Sequence, residues 1–229
     1  MDNIYSLILR IHIVFGALSL VLFWIPVFTR KGKKTHNRVG RWYVVLMSVV
    51  VLTAFLMCLD LLFRQGSLFG LGLGLMGFLT LQPLIQGYYL GKYRVMSTKF
   101  ITLMKAMGIS ILLLSAINLY FGLTHGIILL LIFAGIGLSA GTAITRGFFK
   151  VDRYNHIATH LSGMLISGGA AYTAFLAFGA SSFLPSGLTN SWWVLIPWVL
   201  PTVAALVAST LWRKKYPVKK DRIVPQNPN

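Results

Sequence analysis

Five histidines, His12, His36, His125, His156 and His160, are the side chains of this sequence best suited to chemistry. Imidazole is the commonest protein metal ligand and the one side chain whose ordinary titration lies near neutral pH. His156 and His160 stand four residues apart, so on a helix they share a face, and the small residues Thr159, Gly163 and Ser167 leave space beside them. His36 lies inside the run RKGKKTHNRVGRWY, which carries six positive charges between two apolar stretches. If His36 comes to the same depth as the pair, three nitrogens become available for zinc or another metal. Two histidines from different helices would instead suit the axial positions of a haem. An interfacial location explains the HxxxH spacing equally well without any ligand.

The rest of the chain offers less for catalysis. There is no glutamate, and the four aspartates are Asp2, Asp60, Asp152 and Asp221, too few and too scattered for a carboxylate relay. Cys58 is the only cysteine, which excludes an intrachain disulfide. GxSxG, HExxH and phosphate-loop patterns are absent, so the corresponding hydrolase, zincin and nucleotide-driven mechanisms have no motif support. Asp60 is expected to pair with Arg64 one turn along the same helix, with Arg10 as a second candidate partner. Gln82, Gln86 and Asn118 are the polar intramembrane residues on which a small-molecule carrier would have to rely.

These residues must be positioned by membrane spans. Apolar residues make up 56% of the chain and charged residues only 11%, well below the roughly one quarter of an ordinary soluble domain. Seven apolar runs are predicted: Ile11 to Phe28, Arg41 to Phe63, Leu68 to Gly91, Phe100 to Leu123, Ile127 to Thr145, His156 to Ala180 and Trp192 to Trp212. No cleavage site follows the first, which is expected to be retained. The predicted fold is therefore an all-α, polytopic seven-transmembrane-helix bundle over residues 1–212. Residues 213–229 form a basic cytoplasmic tail expected to be disordered.

The net charge of +17 is gathered in alternate loops and the tail, which is a topology signal rather than a nucleic-acid surface. Its expected partner is a bilayer with anionic headgroups. Lys/Arg-rich loops stay in the cytoplasm, so the chain should run N-out and C-in. A reporter fused after Asn229 should then be active only in the cytoplasm, and periplasmic activity of the full-length fusion would overturn that orientation. His36, His156 and His160 then lie at the inner face, and His12 and His125 at the outer. Gly66, Gly70 and Gly74 are spaced four apart, and so are Gly137 and Gly141; both sets predict close helix packing, with a homo-oligomer as the other use of such a stripe. Pro83, Pro197 and Pro201 predict kinks in the third and seventh spans.

The segments IHIVFGA, ending at Ala17, and KKTHNRVGRWYV, from Lys33 to Val44, resemble the prokaryotic predicted-membrane-protein family labelled domain of unknown function 2306. That resemblance implies a multi-pass protein of a prokaryotic inner membrane and brings no activity with it. The chain is also similar to the cytochrome b561-type membrane cytochromes, in which histidines from different helices hold haem near each face. That likeness implies haem b between His36 and either His156 or His160, a second haem between His12 and His125, and electron transfer across the bilayer. Arg38 and Arg41 inside, and Arg10 and Arg64 outside, would face the propionates. A zinc-dependent intramembrane enzyme using His36, His156 and His160 is the alternative, and a non-enzymatic carrier or interaction protein the third.

Overall fold

The computed structural model describes residues 2–149, 153–179, 196–215 and 221–222. Seven helices account for nearly all of them: α1 (Asp2–Phe28), α2 (Lys34–Phe63), α3 (Phe69–Lys92), α4 (Thr98–His125), α5 (Ile128–Phe149), α6 (His156–Ala174) and α7 (Ile196–Lys215). All seven are long and apolar enough to cross a bilayer; the shortest such stretch, Ile196–Lys214, has 19 residues, or about 28 Å of helix. The protein is thus an all-α, multi-pass membrane protein. Large apolar side chains such as Leu7, Val21, Leu113 and Leu211 are exposed on the outer helix faces, as expected where the surroundings are lipid. Ala180 and Trp192 to Leu195, the predicted ends of the sixth and seventh spans, lie outside the described residues.

Two departures from the sequence expectation alter the site. The basic run is not a loop as far as Arg41: Gly32, at φ 74°, makes the reversal, and α2 begins at Lys34, so His36 belongs to a helix. Lysine and arginine are good helix formers and nothing from Lys34 to Arg38 breaks the pattern, so the charges ride on the helix end. Gly66 likewise is not part of the packing stripe of α3. It adopts φ 61° in the turn before that helix, where its lack of a Cβ is what matters.

The other glycines do serve close approach. A Cβ on Gly74 would meet Cys58 Sγ at 3.1 Å, and one on Gly141 would meet Leu112 at 2.9 Å. At the crossing of α3 and α6 backbone meets backbone, since a Cβ on Gly163 would lie 2.6 Å from both Gly87 N and Pro83 O. Helix α6 packs chiefly on α3 and α7 and also touches α1, while α2 packs on α1 and α3. Between them Phe23, Tyr43, Met47, Leu84 and Leu165 form one buried cluster. A π-helical turn, Phe175–Gly179, extends α6. Of the tail that was expected to be disordered, Asp221–Arg222 pair antiparallel with Arg153–Tyr154 just ahead of α6.

Candidate functional site

The start of α6 is set by Asn155, whose side-chain oxygen accepts the Ala158 N–H at 3.0 Å as an N-cap. This fixes His156 as the first residue of the helix and His160 one turn further in. At the end of α1 the last carbonyls lack intrahelical partners. Lys31 Nζ donates to Pro26 O at 2.8 Å and to Val27 O at 2.5 Å, and His36 Nδ1 donates to Pro26 O at 3.1 Å. Partial burial pushes the Lys31 ammonium below the ordinary lysine range. His36 is therefore held against α1 by a carbonyl that the α1 terminus leaves free.

His160 is held in the same way by α3. Its Nδ1 donates to Gly87 O at 2.6 Å. The ring lies against Gly91, where a Cβ would come 2.6 Å from Nδ1. A carbonyl oxygen only accepts, so in both histidines Nδ1 carries a proton, and in the neutral imidazole Nε2 then keeps its lone pair. The two ring centroids are 6.3 Å apart, with the planes at 72°. Carbonyl-oriented imidazoles with free Nε2 atoms are the usual state of metal-ligating histidines. Substituting Gly91 by alanine should push the His160 ring off Gly87 O. We expect affinity for a histidine-ligated group to fall by about tenfold, the usual cost of losing an orienting partner, checked by ligand titration of Gly91→Ala.

Helices α2 and α6 both start at this end and run parallel. His36 and His160 form the first rung between them. Two turns deeper on each helix, Tyr43 Oη and Ser167 Oγ form a second at 3.1 Å. Ser167 already donates to Met164 O at 2.9 Å, so Tyr43 is the donor of that pair. Around the two rungs lies a cavity of about 760 Å³ whose walls come from α1, α2, α3, α6 and α7. Phe23, Tyr43, Leu161, Met164 and Leu165 line it, and His36, His156 and His160 all reach it. That volume is in the range of roughly 300–1,000 Å³ typical of small-molecule and cofactor sites.

The remaining candidates are dispersed. His12 Nδ1 donates to Thr53 Oγ1 at 2.9 Å and approaches Val50 O at 3.1 Å, both on α2. His125 is exposed at the end of α4, with Nδ1 on its own helix at Phe121 O and Thr124 Oγ1. Their helices are not major packing neighbours, since α1 lies against α2 and α6 while α4 lies against α5 and α3. The expected outer histidine pair is therefore not brought together, because the His12 imidazole is bonded to α2 and that of His125 to its own helix, α4. Asp60 bonds Arg64 at 2.6 Å and Gln65 at 2.9 Å, which occupies both carboxylate oxygens and leaves Arg10 without the role considered for it.

Gln82 donates to Gln86 at 2.8 Å, and Asn118 donates to Leu71 O and Leu114 O. None of these three polar residues lines the cavity. Among the described residues no group of three or more His, Cys, Asp or Glu side chains could hold a metal ion. The three-histidine zinc set is thus reduced to a pair with His156 beside it. The cavity's cations were largely unforeseen. Arg41 reaches it as expected, but so do Lys31, Lys92 and Arg94, while Arg38 does not. Gly87 and Gly91 repeat the four-residue glycine spacing at the C-terminal end of α3, the signal in the sequence that points to His160's seat. The chain matches no protein-family model, no curated protein and no solved structure.

Proposed function

We propose that the protein is a b-type membrane cytochrome of a prokaryotic inner membrane, with one haem held between His36 and His160 at the cytoplasmic end. The likenesses to domain of unknown function 2306 and to the cytochrome b561 type belong to the same proposal. The observation that carries it is the 6.3 Å separation of two imidazoles from different helices, each with Nδ1 on a carbonyl. Two nitrogens bonded at about 2 Å to one ion between them, with roughly 1 Å more to each ring centre, require close to that separation. The ligand count also favours it. A structural or catalytic zinc takes three or four protein ligands, whereas porphyrin iron brings four nitrogens of its own and asks the protein for two.

Within the site the chain's own residues orient and seclude. Pro26 O and Gly87 O hold the two imidazoles in one tautomer. Phe23, Tyr43 and Leu165 keep water from the deep side, since each is buried. Haem bound there would supply one-electron redox chemistry, tuned by its two histidines and the apolar wall.

The test is a dithionite-reduced minus oxidised absorption spectrum of protein produced with ample haem. A shifted Soret band and a sharp α-band are expected. Their absence from folded, haem-supplied protein overturns the reading.

A further inference from the structure

We propose that Arg41, Lys92 and Arg94 at the cavity mouth determine ligand specificity by reading two anionic groups on one edge of an otherwise apolar ligand. The ligand class, a porphyrin, rests on the cytochrome reading above; the charge recognition rests on separate observations. Arg41 comes from α2, Lys92 from the end of α3 and Arg94 from the turn after it, and all three line the same cavity as the apolar floor of Phe23, Tyr43 and Leu165. Lys31 adds a fourth cation, but its ammonium is already bonded to Pro26 O and Val27 O. No carboxylate lines the cavity among the described residues. The one ion pair among them, Arg64 with Asp60, involves other residues.

Topology requires positive charge in the cytoplasmic loops, but it does not require three cations from separate segments to border one cavity. Like charges brought together beside an apolar wall repel one another, and an anion placed among them removes that cost. A carboxylate or phosphate edge pointing outward with an apolar body inward satisfies both parts of the cavity. Haem has that form, with two propionates on one edge, and so has metal-free protoporphyrin IX. The metal-free compound separates recognition at the mouth from ligation by His36 and His160.

The experiment titrates the full-length chain in a zwitterionic detergent with protoporphyrin IX and with its dimethyl ester, following absorbance and fluorescence. We expect the diacid to bind at least about tenfold tighter than the diester, the scale of one or two charge-assisted contacts. The preference should shrink as salt is raised. In the Arg41→Gln/Lys92→Gln/Arg94→Gln variant the diacid should lose most of its advantage, while the diester binds within about twofold of wild type, having no charge to lose. Equal binding of diacid and diester to the wild type, binding of neither, or a salt-independent preference overturns the proposal. Hemin titrated in parallel reads the other reading separately. A diacid preference without a six-coordinate hemin spectrum sinks the cytochrome and leaves the mouth's specificity standing; a six-coordinate spectrum without the preference does the reverse.

Discussion

Replacing His160 by alanine should abolish the low-spin, six-coordinate haem spectrum, and His36→Ala should do the same. Each would remove one of the two proposed ligands. His156 is the informative comparison, because it lines the same cavity one turn earlier on α6. The ring facing His36 is that of His160, so His156→Ala should keep the α-band. His12→Ala and His125→Ala should keep it too, because their imidazoles are bonded elsewhere. Adding free imidazole to His160→Ala, where truncation leaves a gap of the right size, should restore the low-spin bands. That rescue distinguishes a lost ligand from a lost fold. Retention of the spectrum in His160→Ala would remove the proposed ligation.

Gly163→Ala should cost clearly more stability than a methyl group added at an open position such as Gly135. The new Cβ would lie 2.6 Å from Gly87 N and Pro83 O, and these are backbone atoms that cannot swing aside. At Gly137 or Gly91 the nearest atoms belong to side chains, which can rotate. To admit the methyl, α6 must move away from α3, and His160 moves with it. Overpacking of this kind costs about 1–3 kcal/mol, and a backbone clash belongs at the upper end. Gly135→Ala is the control, since nothing lies within 4 Å of its added Cβ. Thermal unfolding in detergent, followed by helical signal, should show a lower midpoint for Gly163→Ala and none for Gly135→Ala. Equal midpoints would mean that the α3–α6 crossing tolerates separation.

Histidine spacing alone left the site half open. The HxxxH pair implied a common face for His156 and His160 but did not distinguish them as ligands. What distinguishes them is Gly91 on α3, whose bare Cα admits the His160 ring to the Gly87 carbonyl. Likewise the basic run gives His36 no orientation by itself; that depends on Pro26 O at the end of α1, which accepts from both His36 and Lys31. Both partners are backbone atoms. A backbone carbonyl is present at every position, so no residue type in the chain advertises which one will be used.

The spans were legible for the opposite reason. A helix in lipid must satisfy its own backbone hydrogen bonds and present apolar side chains on all sides, a requirement local enough to be written in each run of residues. The Asp60–Arg64 pair was equally local, one turn apart on a single helix. The sequence by itself determined seven spanning helices and the gathering of charge in alternate loops. Tertiary structure alone decided that α3 and α1 stand beside α6 and α2, that His36 meets His160 while His12 and His125 remain with separate helices, and that Arg41, Lys92 and Arg94 surround one mouth. Those outcomes depend on which helix faces touch, and in lipid that choice rests on close packing at glycines such as Gly87 and Gly163 rather than on an apolar pattern the sequence displays.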